Sequence, residues 1–340
     1  MEKLNIEKVA KLAHVSKSVV SRVLNDHPNV SDVARSRVLS IVKKYNYKPN
    51  SIAKNLAKNR SFVLSVLTDR RPNNEVSSGY WTLFNLGLFD ECIKNGYFSR
   101  FSFVDTRNQN QSRHSLYDVS GTDGFILHTP EVINMIIDDL KENNFPVVFK
   151  QQHSEYSEYC SVDVNNYLGG YLATSHLLEL GHENISILLA VPEVEEAKER
   201  FRGFRQAHSD KGIKVKEDLI ITGLYSQEFG YEAVKKLLAM NQKFTALFCT
   251  SDTIAIGAIL ALNEEGIEIP EEVSVVGFDD LPTSKFTFPP LTTIHQPIYE
   301  KGVMAAKILI NQLENCDSKI VHELLDPRLV IRKSTGPAPP

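Results

Sequence analysis

Cysteine and tryptophan are scarce in this chain, with four Cys and one Trp among 340 residues. Cys92, Cys160, Cys249 and Cys316 lie far apart and form no CxxC pair. That excludes a disulfide scaffold and a thiolate metal centre, and the four read as small buried hydrophobes. No run of about 18 apolar residues occurs, so no membrane-spanning helix is expected. The opening Met1-Glu2-Lys3-Leu4-Asn5-Ile6-Glu7-Lys8 lacks the apolar core of a secretory leader, so the expectation is a cytoplasmic protein. GxSxG, HExxH, GxGxxG and Walker motifs are absent, and the ten His fall at no triad-like spacing. Catalytic residues, a cofactor and a metal are therefore not expected. No period of roughly 20–50 residues recurs, which excludes a solenoid.

What is present is ordinary in bulk and uneven in distribution. Hydrophobic residues make up 42% and charged residues 24%, as in globular proteins, and the length asks for two or three domains. The net charge of −4 hides an asymmetry. Residues 1–60 hold 13 Lys and Arg against 4 Asp and Glu, an excess of +9, which leaves −13 on the remainder. A basic head on an acidic body points to a polyanion-binding module attached to a part that need not touch the polyanion.

Within the head, Asn5 can cap a first helix over 6–13, with Ile6, Val9, Ala10 and Ala13 at helical spacing. His14 and Val15 break it. Ser16 caps a second helix reaching Asn25, with Val19, Val20, Val23 and Leu24 as the inward stripe. Ser31 or Asp32 caps a third helix to about Tyr45, with Val33, Val38, Leu39 and Val42 apolar. Two helices joined by a tight turn, followed by a third, make a helix-turn-helix. Its second helix would enter the major groove, presenting Lys17, Ser18, Ser21 and Arg22. Arg22 can fork onto a guanine, Lys17 and Ser18 can reach base edges, and the Ser16 and Ser21 hydroxyls suit phosphate.

The run Ala13-His14-Val15-Ser16-Lys17-Ser18-Val19-Val20-Ser21-Arg22-Val23-Leu24-Asn25 resembles the DNA-binding head of the lactose-repressor/galactose-repressor family of bacterial transcription regulators. His14 stands where the family usually has Gly, and Val19 where it usually has Thr. The stretch Tyr45-Asn46-Tyr47-Lys48-Pro49-Asn50-Ser51-Ile52-Ala53-Lys54-Asn55-Leu56 resembles the family's hinge. A helix that short is unstable alone and folds against its twin on DNA. The resemblance implies DNA contacts by Ser16, Lys17, Ser18, Ser21, Arg22, Asn25, Ser31, Asn50, Ala53 and Leu56, with Leu56 wedged between base steps. It also implies a homodimer on a pseudo-palindromic double-stranded operator, nucleoid-associated when bound.

Beyond residue 60, apolar bursts alternate with helical patterns. Strands are expected at 63–67, 98–104, 125–127, 147–149, 185–189, 219–221, 246–249 and 273–276. Helices are expected at 80–94, 131–143, 167–180, 195–208, 227–240, 252–265 and 298–313. Such βα repeats mean an α/β body of parallel sheets flanked by helices. The family resemblance continues through Glu199-Arg200-Phe201-Arg202-Gly203-Phe204, Ser274-Val275-Val276-Gly277-Phe278-Asp279-Asp280 and Pro290-Leu291-Thr292-Thr293-Ile294-His295-Gln296-Pro297. The implied body is periplasmic-binding-protein-like, with two lobes and three crossovers. Its implied boundaries are a head at 1–48, a hinge helix at 49–60, a first lobe at 61–162 with 292–322, and a second at 163–291 with 323–340.

Open parallel sheets bind ligands beyond the carboxyl ends of their strands. An Arg and an Asp facing each other there suit vicinal hydroxyls. By the resemblance, Arg200, Ser251, Asp279 and Gln296 fall at ligand positions, Tyr225 at an aromatic one, and Tyr80-Trp81 at a paired-aromatic one. Tyr80 and Trp81 read equally as core. Asp252 and Asp280 read as helix caps. The family's purine-binding branch carries basic and hydroxyl residues before the Arg200 position. Here that stretch is Val194-Glu195-Glu196-Ala197-Lys198-Glu199, which favours a neutral sugar or glycoside.

Overall fold

The computed structural model describes residues 5–24, 27–47, 60–69, 79–104, 121–152, 154–240, 243–315 and 319–340. The chain divides into two units, residues 1–62 and 63–340. Asn25, Asn50, Ala53 and Leu56, and the hinge except Arg60, lie outside the described residues.

The first unit contains α1 (Ile6–Ala13), α2 (Lys17–Leu24) and α3 (Asp32–Lys44). Asn5 caps α1, accepting the Lys8 N–H at 2.9 Å. His14 closes that helix in the left-handed conformation, φ 53° and ψ 47°, so His fills a position where Gly would be unstrained. Ser31, rather than Asp32, caps α3 by accepting the Ala34 N–H. Val9, Ala10, Ala13, Val20, Val23 and Val38 form the core, with Ile41 and Val42 packed on it. Of the apolar residues of this helix, Val33 and Leu39 are 63% and 47% exposed, because Val38, Ile41 and Val42 define the inward face of α3.

The second unit is built on two six-stranded sheets. In chain order its elements are β1 (Val63–Asp69), α4 (Gly79–Lys94), β2 (Phe98–Val104), β3 (Gly124–Leu127), α5 (Pro130–Glu142), β4 (Val147–Phe149), β5 (Cys160–Val164) and α6 (Asn166–Glu179). Next come β6 (Ile185–Ala190), α7 (Glu195–Asp210), β7 (Ile220–Gly223), α8 (Gln227–Ala239), β8 (Ala246–Cys249), α9 (Asp252–Glu264) and β9 (Ser274–Asp279). The chain closes with β10 (Thr292–His295), α10 (Ile298–Asn315), β11 (His322–Leu325) and β12 (Arg328–Val330). The first sheet has the order β11-β5-β4-β3-β1-β2 and the second β12-β10-β9-β8-β6-β7. Both are parallel except for β12, which runs antiparallel to β10. The central strands are buried along their length, as expected of sheets with helices on both faces.

The chain crosses between sheets three times: after β5, after β10 and after β11. These crossings lie a few residues from the expected boundaries. β10, expected with the first lobe, pairs with β9 in the second sheet, and β11 pairs with β5 in the first. Pro297 ends the ladder beyond β10 and opens α10. The strands β5, β10, β11 and β12 are not among the expected ones, because each lies next to a crossover instead of inside a βα repeat. Cys92, Cys160 and Cys249 are buried and form no disulfide among the described residues.

Candidate functional site

The outward face of α2 carries Lys17, Ser18, Ser21 and Arg22, all exposed, while Val20 and Val23 point into the core. Ser16 accepts the Val19 N–H at 3.3 Å and shares a 2.8 Å bond with the Ser18 hydroxyl, so these two hydroxyls stand at the positive end of the helix. Arg22 lies over the turn before it, its Nε donating to the Ser18 carbonyl at 3.4 Å. Lys17 is ion-paired with Glu7 of α1. A hydrogen bond from Lys17, together with the Lys17 and Lys11 charges, holds the Glu7 carboxyl below the usual range. Both side chains are more than half exposed, so the pair is weak and Lys17 stays available to another anion.

The second sheet gathers most of the expected ligand residues beyond its carboxyl ends. Arg200, in α7, is 3% exposed. Its Nε donates to Asn166 Oδ1 at 2.9 Å, its Nη1 donates to the Thr250 carbonyl at 2.6 Å, and its plane lies 3.9 Å over the Phe278 ring. That position is set by close packing of α6 on α7: a Cβ at Gly170 would lie 2.1 Å from the Arg200 carbonyl oxygen. Asp279 ends β9 with φ 121°, and its Oδ1 accepts Gln296 Nε2 at 2.5 Å. Asp279 and Gln296 are both buried. Ser251 caps α9, accepting the Ile254 N–H at 3.2 Å. Tyr225 is half-buried and donates to Glu196 at 3.4 Å.

Two expected caps have other roles. Asp252 is the first residue of α9 and is fully buried. It accepts from the Leu281 N–H at 2.8 Å, the Thr293 hydroxyl at 2.5 Å and the Ser284 hydroxyl. Gly277 leaves room for it, since a Cβ there would sit 2.3 Å from Asp252 Oδ1. Burial raises the Asp252 carboxyl to about 6 against the pull of those donors. Asp280 pairs with Arg332 and with His295 Nδ1 at 3.0 Å. Burial opposes its ionisation, but hydrogen bonds and charge from His295 and Arg332 win and hold its carboxyl below the usual range.

In the first sheet Tyr80 and Trp81 open α4 and are 5% and 3% exposed. Trp81 packs edge-on against Phe84, Phe101 and His128. Lys150, directly after β4, holds its ammonium 4.3 Å from the Tyr80 ring and 4.7 Å from the Trp81 ring, and bonds His128 Nδ1 at 3.0 Å. The buried hydroxyls of Thr68 and Thr129 have no hydrogen-bond partner among the described residues.

Lys150, Asp163, Asn166 and Lys301 are not singled out by the sequence reading. A signal existed for two of them. Lys150 follows the wholly apolar strand β4 without a break, and Lys301 falls on the apolar stripe of α10 between Ile298 and Ala305.

Residues 5–50 match the family described as bacterial regulatory proteins, lacI family, and residues 174–335 the family described as periplasmic binding protein-like domain. An HTH-type transcriptional repressor PurR of Mannheimia succiniciproducens is 33% identical over 334 residues, covering 97% of this chain and 98% of that protein. The corresponding repressor of Haemophilus influenzae is 32% identical over 337 residues, with 97% and 98% covered. Among solved structures, the lac repressor dimer bound to operator and the anti-inducer ONPF superposes with a TM-score of 0.85 at 26% identity, covering 98% of this chain and 100% of that one. A complex of the transcriptional regulator CelR with cellobiose gives 0.74 at 25% identity, with 97% and 99% covered.

Proposed function

The chain belongs to the lacI family of bacterial regulatory proteins and is a DNA-binding transcriptional repressor, not an enzyme; from that premise we propose that a small carbohydrate, a neutral sugar or glycoside, sets its operator affinity. The observation that carries the carbohydrate reading is the placement of Arg200 and Asp279 on the carboxyl side of the same sheet. A buried guanidinium and a buried carboxylate stand beyond the carboxyl ends of one sheet, each oriented by a neighbouring amide side chain. Such a pair offers donors and acceptors to vicinal hydroxyls without water competing. The Thr68 and Thr129 hydroxyls, which have no hydrogen-bond partner among the described residues, support a polar occupant on the first-sheet side. The cellobiose complex of a structural relative supports the same class.

In this reading the protein acts as a homodimer on a pseudo-palindromic operator. Exposed apolar side chains support a second copy: Leu86, Phe89 and Ile93 on α4, Phe98 and Phe103 on the edge strand β2, and Phe286 and Phe288 after β9. Lys17, Ser18 and Arg22 read bases, Ser16, Ser21, Asn25 and Ser31 hold phosphates, and Asn50, Ala53 and Leu56 act from the hinge in the minor groove. Sugar contacts come from Arg200, Ser251, Asp279 and Gln296, with Tyr225, Tyr80 and Trp81 as aromatic walls. Ligand binding changes the placement of the lobes and hence the pairing of the two hinges, so ligand and operator alter each other's affinity by one factor. A nucleobase is the second reading, favoured by Tyr80 and Trp81, whose flat rings stack on a planar base as well as on a sugar.

The test is a thermal-shift panel on the full chain with cellobiose, ribose, galactose, lactose, methyl β-glucoside, sugar phosphates and nucleobases. A ligand of the folded state raises the melting temperature. A shift with neutral sugars is expected. A shift confined to phosphates or nucleobases overturns the carbohydrate assignment.

A further inference from the structure

Resting on the ligand-gated reading above, we propose that Lys301 and Asp163 are positioning residues that tie the sugar-binding groups to the relative placement of the two lobes. Lys301 is 1% exposed and Asp163 9%, and Lys301 Nζ lies 3.0 Å from Asp163 Oδ1. Burying both charges costs solvation, and an apolar pair of similar size would hold a fold as well. The pair's location supplies the reason for keeping it.

Asp163 is the last residue but one of β5, just before the first crossover. Asn166 opens α6, just after it. Lys301 lies in the first turn of α10, just after the second crossover. One oxygen of Asp163 takes the Val164 N–H at 2.7 Å, Asn166 Nδ2 at 3.4 Å and the Lys301 ammonium. Its other oxygen takes the Gln152 N–H at 3.1 Å. Asn166 in turn accepts Arg200 Nε at 2.9 Å. Gln296, which opens the second crossover, donates to Asp279. Each of the two proposed sugar-binding charges is thus one hydrogen bond from a crossover, and the Lys301–Asp163 pair joins those crossovers. The third crossover is tied in by Asn165, whose N–H donates to the Leu325 carbonyl at 2.9 Å and whose Nδ2 donates to Asp326 at 3.3 Å.

From Lys301 the connection runs on into the first lobe. A Cβ on its neighbour Gly302 would lie 2.1 Å from the Phe84 carbonyl, so α10 and α4 cannot move independently. Phe84 packs on Trp81 at the start of α4. A shift of Arg200 or Asp279 toward a bound sugar therefore pulls on Asn166 and Gln296. The ion pair makes the two crossovers turn together, and α10 carries α4 with it. Without the pair, the sugar still meets Arg200 and Asp279, but the crossovers respond separately.

The experiment compares the full chain with the double variant Lys301→Met/Asp163→Asn. It removes both charges, while the amide oxygen introduced by Asp163→Asn can still accept from Val164 or Gln152. The DNA probe is the duplex that the wild-type protein selects from random 30-bp duplexes. The sugar probe is cellobiose or, if it gives no shift, whichever of ribose, galactose, lactose and methyl β-glucoside raises the wild-type melting temperature most. In wild type the sugar should change duplex affinity at least about fivefold, the lower end of ordinary coupling. In the double variant the sugar should bind within about threefold of wild type, yet change duplex affinity less than about twofold. An undiminished coupling factor overturns the proposal, and so does loss of sugar binding, which makes the pair a support of the site itself. If the double variant does not fold, Lys301→Arg and Lys301→Gln replace it. The Arg variant should retain the coupling and the Gln variant lose it, and equal coupling in both overturns the proposal. A wild-type chain that selects no duplex, or that no panel sugar shifts, refutes the underlying reading before any variant is made.

Discussion

Asp252 gives the sharpest test of the interior. Its carboxylate is fully buried at the start of α9, with three donors and the neighbouring Asp280 around it. Burial dominates and lifts the carboxyl from 3.8 to about 6. A group whose folded value is raised binds its proton more tightly in the folded state, so its favourable contribution is complete below the unfolded value. It is lost as pH rises through the folded value. A shift of about two units at ~1.4 kcal/mol per unit amounts to about 3 kcal/mol lost between roughly pH 4 and pH 7. Asp280 has the opposite sign, its contribution disappearing as pH falls, and it largely cancels when two proteins differ only at residue 252. The Asp252→Asn variant cannot ionise at that position. Its amide oxygen can still take the Leu281 N–H, and its NH2 group can donate to the Thr293 or Ser284 hydroxyl. Denaturant unfolding, followed by far-ultraviolet circular dichroism at pH 4, 5, 6 and 7, should show the Asp252→Asn variant gaining on wild type by about 3 kcal/mol across that range. A difference that does not change with pH, or that grows toward acid, refutes the reasoning.

Other outcomes follow from the same geometry. Gly170→Val should separate α6 from α7, lowering the melting temperature by the equivalent of about 1–3 kcal/mol and weakening sugar binding through Arg200. Unchanged melting and binding would contradict the close packing. Arg22→Ala should cost about 1–3 kcal/mol of discrimination between the selected duplex and a scrambled one, read by fluorescence anisotropy. Leu56→Ala should weaken selected-duplex binding and spare the salt-sensitive nonspecific binding, whereas equal loss of both removes the wedge role. Arg200→Lys should raise the sugar's dissociation constant at least about tenfold, because an ammonium cannot keep both the Asn166 and Thr250 bonds in the fork geometry.

Much of the fold was legible because βα repeats write their own punctuation. Asn5, read as the cap of the first helix, does cap it. The crossovers were less legible, since β5, β10, β11 and β12 stand beside them, outside the βα alternation that marks the other strands. The phase of α2 was legible, with Val20 and Val23 inward and Lys17, Ser18, Ser21 and Arg22 outward. On the third helix apolar character alone does not give the phase, since Val33 and Leu39 lie off the inward face that Val38, Ile41 and Val42 define. The positions of Arg200, Ser251, Asp279 and Gln296 beyond the strand ends were legible, but their partners were not. That Asn166 holds Arg200, or that Lys301 reaches Asp163, joins residues 34 and 138 positions apart, which no local pattern reports. Gly277 was visible as part of a motif, but its reason became visible only with Asp252 beside it.

The most direct test of ligand-gated repression is the affinity of the full chain for its selected duplex, measured by fluorescence anisotropy with and without the sugar that shifts its melting. A change of at least about fivefold, with duplex changing sugar affinity by the same factor, is the expected result. Identical duplex affinity at saturating sugar would contradict it.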